Sequence, residues 1–157
     1  MVEHPNVARV RAYAAARGTP ILPRRFPSTT RTAQDAAREI GCDVAQIVKS
    51  LVFLADDQPV VVLCSGADRV DESRLRELLG VSVVRRATAD EAKAATGYPI
   101  GGVPPFAHER PCRVLADARL LGSARVWAAA GLPDTVFPIG PRELVALAGA
   151  ELAELAA

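Results

Sequence analysis

Two runs of residues constrain the fold more than any other part of this chain: QIVKSLVFL at positions 46–54 and PVVVLC at 59–64. Both are rich in β-branched residues, and Asp56-Asp57-Gln58 lies between them as a turn signal. Residues of that type fit a pleated, half-buried surface, and a short polar break between two such runs predicts a β-hairpin. The second run is apolar at nearly every position, which predicts a strand covered on both faces.

Helical patterns surround this hairpin. Pro5 with Val7, Val10 and Ala14 predicts a helix over 5–17 that Gly18 ends. Thr32-Ala-Gln-Asp35 is a capping-box-like start for a helix to Ile40, and Thr88-Ala-Asp-Glu91 is a full capping box for a helix closed by Gly97. Asp71 leads a helix with Leu75, Leu78 and Leu79 inward, and Gly140-Pro141 opens one through Leu144 and Leu147 that the Ala/Leu/Glu-rich tail is expected to extend. Residues 81–85, 113–116, 126–129 and 135–139 are expected strands, and 21–26 is expected to be a short edge strand because its prolines exclude a central one. A hairpin followed by strands separated by helices predicts an α/β protein of the α+β type. Its sheet should be mixed and mostly antiparallel, with several packed helices. With 157 residues, no repeat and no linker-like boundary, residues 1–157 are expected to form one domain.

The charge balance narrows the partners. Nineteen basic and eighteen acidic residues leave a formal charge of +1, so contact with nucleic acid is expected to be local. Aromatic residues make up only 4%, so the core must be built from Ala, Val, Leu and Ile. Cys42, Cys64 and Cys112 are far apart and odd in number, and no Cys/His cluster accompanies them. They read as structural thiols of a reducing compartment, and neither a metal site nor a disulfide framework is expected. No apolar h-region stands near the N-terminus and no apolar run is long enough to cross a bilayer, so a cytoplasmic location without membrane contact is expected.

Two features could carry chemistry. Residues 97–106, GYPIGGVPPF, pair glycines that allow close backbone approach with prolines that restrict the loop. Such a segment is either an ordinary turn or a preorganised set of N–H groups able to stabilise an oxyanion. Lys49 sits among strand-forming apolar residues; it is either a solvated lysine on the outer face or a positive charge aimed into a cleft. His4 and His108 have no partner spacing, Cys64-Ser65-Gly66 lacks the G-x-S-x-G elbow, and no glycine pattern matches a dinucleotide or P-loop fingerprint. The doublets Arg24-Arg25 and Arg85-Arg86 are either solvated or available to RNA phosphates.

Taken together the motifs resemble a known family. Thr32-Ala33 with Ala36-Ala37, followed by Gln46-Ile47-Val48-Lys49-Ser50-Leu51-Val52-Phe53, is similar to the opening of the YbaK/prolyl-tRNA-synthetase-associated editing domain. Asp68-Arg69-Val70-Asp71, the loop from Gly97 to Phe106, and the segments 127–131 and 133–136 resemble its later motifs in the same order, so that residues 29–149 are covered. The resemblance implies hydrolysis of the ester of wrongly charged tRNA, above all tRNA(Pro) carrying cysteine or alanine, without a cofactor. It implies Lys49, Gly101 and Gly102 as catalytic residues. Thr32, Ser50, Val103, Pro104, Pro105, Phe106, Ala130 and Gly131 would bind the substrate. It further implies the acceptor 3′ end of mischarged tRNA as partner, with prolyl-tRNA synthetase as a second. Two positions depart from the family pattern: Ala107 stands where a glycine is frequent, and Ala128, Ala129 and Ala130 stand where Ser or Gly is frequent. The rival readings are a binding module of the same fold without activity, and an unrelated esterase using Ser50 or Ser65.

Overall fold

The computed structural model describes residues 3–27 and 32–157; Ser28, Thr29, Thr30 and Arg31, the end of the Pro/Arg/Thr-rich stretch, lie outside the described residues, as do Met1 and Val2. The central hairpin forms as its sequence demands. Strand β2 (Val48–Ala55) pairs antiparallel with β3 (Gln58–Ser65), Lys49 opposite Cys64 and Ala55 opposite Gln58. Asp56 and Asp57 both take positive φ, 46° and 68°, the backbone twist that a two-residue hairpin turn requires.

Around the hairpin, five strands run in the order β4-β2-β3-β5-β8. Strand β4 (Val84–Arg86) pairs antiparallel with β2, whereas β5 (Arg113–Asp117) and β8 (Glu151–Ala153) extend the sheet in parallel. A second sheet has the order β1-β7-β6, from β1 (Arg24–Arg25), β6 (Val126–Leu132) and β7 (Thr135–Ile139), all antiparallel. A parallel bridge, Ile47 to Trp127, joins the two sheets at the start of β2.

Alternation along β2 and β3 divides the interior. Val48, Val52, Val61 and Leu63 face a cluster completed by Val10 and Ala14 of α1 (Pro5–Ala16), Phe137 of β7, and Leu144 and Leu147 of α5 (Pro141–Ala148). Phe53, Val60 and Val62 face the other way, onto Leu75 of α3 (Glu72–Leu79) and Leu155. A third cluster seats Ala36 and Ala37 of α2 (Ala33–Ile40) on Ile47 and Val136. The helix starts follow the capping residues: Thr32 accepts from Asp35 N–H at 3.1 Å, Asp71 from Ser73 and Arg74, and Thr88 with Glu91 closes a reciprocal box at the start of α4 (Ala89–Thr96).

Three local expectations are corrected. The tail does not prolong α5: Gly149 takes a left-handed C-cap (φ 60°) and ends the helix, and the chain then runs as β8 beside β5. Asp117, almost wholly buried, accepts from the N–H groups of Leu155 and Ala156 at 2.8 and 3.1 Å, which favours extended chain there over a further helical turn. The strand expected at 81–85 lies at Val84–Arg86, because the Asp56 carboxylate captures the N–H groups of Ser82 and Val83. The edge strand expected over 21–26 is reduced to Arg24–Arg25.

Candidate active site

The cleft begins where β4 stops. β4 covers only Phe53 to Ala55 of β2, and the ladder closes with Ala87 N–H donating to the Val52 carbonyl at 2.9 Å. Backbone groups on a strand alternate in direction every residue, so Ser50, two positions before Val52, turns its N–H and C=O to the same side, where no described strand pairs with it. This open edge forms one wall of a cleft of about 580 Å³. The cleft is lined as well by Ile100, Gly101 and Val103 of the Gly/Pro loop, by Pro133, by Thr32 at the cap of α2 and by Ala36 within it, and Trp127, Ala129 and Val136 supply an apolar patch.

Two polar residues of β2 line this space. Lys49 is half-buried and its Nζ donates to the carbonyl of Asp68, which leaves two of the three ammonium donors without a partner among the described residues. The Ser50 Oγ is buried and has no hydrogen-bond partner among the described residues. A buried hydroxyl without a partner costs about 1–3 kcal/mol, so this Oγ, closed off from solvent, is a local liability beside the cleft. Gly66 holds the floor in place. A Cβ there would lie 2.7 Å from the Val44 carbonyl and 2.8 Å from the Ala33 Cβ, so only glycine lets α2 sit against the start of β2.

The Gly/Pro loop is fixed from inside. Tyr98 is fully buried and its hydroxyl donates to the Ala107 carbonyl at 2.7 Å. The Gly102 N–H donates to the Pro99 carbonyl at 2.9 Å, and Glu109 N–H to the Thr96 carbonyl at the same distance. His108 Nε2 lies 2.7 Å from the Pro104 carbonyl, so that nitrogen carries the proton. Burial lowers the His108 pKa below its usual 6.5, against a smaller upward effect of the Pro104 bond. The unfolded chain therefore takes up this proton first as pH falls. His108 is expected to favour the folded state fully above about pH 6.5 and to lose that contribution between there and its lower folded pKa. A His108→Gln variant keeps a donor for Pro104 but cannot titrate. Stability in denaturant between pH 7 and pH 5 should therefore fall more steeply for the parent than for the variant, and equal slopes would refute the assignment.

Ala107 takes φ 64° in this loop, a left-handed conformation that costs an L-residue about 1–2 kcal/mol. Ala107→Gly is expected to raise stability by about 1 kcal/mol; a thermal melt that shows no gain would argue against strain at this position.

The residues singled out in the sequence fall into two groups. Lys49, Ser50, Thr32, Gly101 and Val103 line the cleft. Gly102, Pro104, Pro105, Phe106, Ala130 and Gly131 are buried and stand behind it. Phe106 stacks on Tyr13 at 5.2 Å and tilts against Phe137, and Gly131 packs on Asn6, whose side-chain amide donates to the Gly131 carbonyl. Of the three consecutive alanines only Ala129 lines the cleft; Ala128 and Ala130 alternate into the core. Trp127, Pro133, Arg86 and the spacer Gly66 were not singled out as site residues. Of these only Arg86 carried a functional reading in the sequence, as half of a basic doublet available to RNA phosphates.

Among the described residues no nucleophile–base pair stands in this cleft. His4 Nδ1 caps α1 by accepting from Asn6 N–H, and His108 is bound to Pro104, so neither imidazole serves Ser50. Ser65 is buried, donates to the Ala45 carbonyl and accepts from Ala67 N–H. Burial pushes the Cys64 thiol up to about 11, which leaves it protonated and a weak nucleophile. Among the described residues no group of three or more His, Cys, Asp or Glu could hold a metal ion, and no helix is long and apolar enough to cross a membrane.

Fold and cleft together define an editing domain. The family model for the aminoacyl-tRNA editing domain matches residues 27–147, well over half of the chain, and the chain belongs to that family. It is 40% identical to a crystal structure described as a candidate trans-editing enzyme for prolyl tRNA synthetase, with a TM-score of 0.93 and 99% of each chain covered. Uncharacterized protein YwhH of Bacillus subtilis (strain 168) is 30% identical over 120 residues, 76% of either chain. The proline–tRNA ligase of Ligilactobacillus salivarius (strain UCC118) is 37% identical over 92 residues, 59% of this chain; that match spans only 16% of the ligase.

Proposed function

We propose that the protein is an aminoacyl-tRNA deacylase that clears mischarged tRNA in trans, with tRNA(Pro) carrying alanine or cysteine as substrate. The observation that carries this reading is the meeting of Lys49, the open strand edge at Ser50 and the Gly101–Val103 turn in one cleft that Thr32 and Arg86 also line. The family membership and the proline–tRNA ligase relatives support the same substrate class.

An aminoacyl ester is activated enough for water to attack it if the developing oxyanion is stabilised. One preorganised donor supplies about 3 kcal/mol of that stabilisation. Gly102 N–H is already given to Pro99, so the N–H groups of Gly101 and Val103, the two residues of this turn that line the cleft, are the donors assigned to the oxyanion. Lys49 has two donors without a partner among the described residues for the ester carbonyl or the ribose, and the open backbone edge at Ser50 holds the amino acid. Thr32 caps α2 at the cleft mouth with its hydroxyl proton left to donate. With no protein base at hand among the described residues, the vicinal ribose hydroxyl of the substrate orients the water.

The test is a panel of tRNA(Pro) species charged with Cys, Ala, Ser, Thr and Pro. Hydrolysis of one small mischarged residue, with Pro-tRNA(Pro) spared, is the expected result; hydrolysis of none would leave a binding module of the same fold. Ala129→Val narrows the amino-acid end of the cleft. It is expected to lower the rate on the largest accepted residue about tenfold or more relative to alanine, the size of a one- or two-methyl discrimination. An unchanged ratio would place the amino acid elsewhere in the cleft.

A further inference from the structure

We infer that a second groove, continuous with the cleft and flanked by Arg69 and Arg86, is the track along which the single-stranded 3′ end of an RNA leaves the site, with its phosphates held by those two arginines. The inference rests on the reading of the cleft as an aminoacyl-ester site and goes beyond it in naming where the rest of the substrate lies.

The groove, of about 420 Å³, runs on the opposite face of the open β2 edge and shares Lys49, Leu51 and Arg86 with the cleft. Three cations, Lys49, Arg69 and Arg86, line it against one carboxylate, Glu72. The state of the arginines is informative in a chain of near-zero charge. Among the described residues, seven arginines are committed to ion pairs with Asp or Glu. The Arg85-Arg86 doublet splits. Arg85 binds Glu91 through two hydrogen bonds of 2.8 and 2.7 Å, whereas Arg86, on the other face of β4, has among the described residues only the Phe53 ring, 5.6 Å from its guanidinium. Arg69 has no side-chain partner among the described residues either, yet its backbone is fixed, since its carbonyl accepts from Ala157 N–H. Both side chains are exposed. Two uncommitted guanidinium groups on a fixed backbone, beside the mouth of a cleft, suit phosphate oxygens.

Geometry supplies the direction. An amino acid esterified to a terminal ribose brings that nucleoside into the cleft, and the 5′ phosphate and preceding nucleotides must leave by an opening. The opening at Lys49 and Arg86 carries three cations, with Arg69, against the single carboxylate of Glu72. A local pair of phosphate contacts is also what a net charge of +1 permits.

The test compares two substrates: mischarged tRNA, and the same amino acid esterified to adenosine, which has no phosphate. In R69A/R86A the ratio of the rate on tRNA to the rate on the adenosine ester is expected to fall about tenfold or more. Arg→Lys at both positions should restore most of it, because a phosphate accepts a point charge. Binding of an uncharged acceptor-stem RNA ending in a free 3′ strand, measured against salt, gives a readout independent of hydrolysis. Every single-strand phosphate that the protein ceases to neutralise should flatten the log–log slope by about 0.7, so the double variant should flatten it by about 1.4. Arg76→Ala, an exposed arginine outside the groove, should leave both readouts at the parent value. An unchanged ratio together with an unchanged salt slope overturns the inference. Wild-type protein that binds the RNA through these arginines but hydrolyses neither substrate sinks the deacylase reading and leaves the track standing.

Discussion

Lys49→Ala is expected to lower deacylation of mischarged tRNA by about 10²–10³-fold while the protein stays folded. The upper part of that range is what removal of one preorganised donor from a developing oxyanion costs, and a charged donor in a partly buried cleft belongs there. The fold should survive because Lys49 lies at the end of its strand, outside the core. Its half-buried side chain donates one hydrogen bond, to the Asp68 carbonyl, and loss of such a bond costs about 1 kcal/mol. For a chain of this size that lowers the Tm by about 2–4 °C. Single-turnover hydrolysis and a thermal melt on the same preparation separate the two effects. Activity within about threefold of the parent, well short of the loss expected for an oxyanion donor, would remove Lys49 from the mechanism. A melt lowered by tens of degrees would make it a structural residue.

Gly102→Ala should produce the second large effect, by a different route. A Cβ at this position would stand 2.8 Å from both Cα and carbonyl carbon of Leu132, backbone atoms that cannot rotate away. The loop must therefore move off β6, and with it Gly101 and Val103. Overpacking of this kind costs about 1–3 kcal/mol, and a displacement near 1 Å at a reacting centre costs about 10²-fold in rate. Gly101→Ala is the informative contrast. Its Cβ would meet nothing closer than Pro133 at 3.9 Å, so only the left-handed backbone at φ 84° opposes it, by about 1–2 kcal/mol. If Gly102→Ala retains full rate on mischarged tRNA, the position of this loop does not govern catalysis.

Much of the architecture was legible because local rules and tertiary structure agree. The β2–β3 hairpin, the Thr88–Glu91 capping box and the start of α3 at Asp71 each satisfy their own backbone groups with residues a few positions away. Expectations failed where a distant partner decided the outcome. Asp56 sets where β4 begins by binding Ser82 and Val83, and Asp117 draws the tail into a strand; neither carboxylate announces its partner in the sequence. The site shows the same division. Lys49 and the glycine pair were visible as unusual residue types in their surroundings. That Arg85 is bound to Glu91 while Arg86 has, among the described residues, only the Phe53 ring, or that Ser50 lacks a partner among them, depends on which strand edge is left open. The sequence around Gly66 shows only a Cys64-Ser65-Gly66 run without the elbow motif, because the atoms that forbid a side chain there belong to Ala33 and Val44.

The turn that receives the Lys49 ammonium is bonded to residues far along the chain. Arg69 C=O accepts from Ala157 N–H, Asp71 N–H donates to the Leu155 carbonyl, and Arg74 donates to the Ala156 carbonyl across 82 residues. During synthesis the hairpin can close as soon as it leaves the ribosome, but the Asp68 turn gains these bonds only after residues 155–157 have emerged. A nascent chain thus carries its cleft half-built, and the lysine receives its final support only once some ninety residues beyond that turn have been translated.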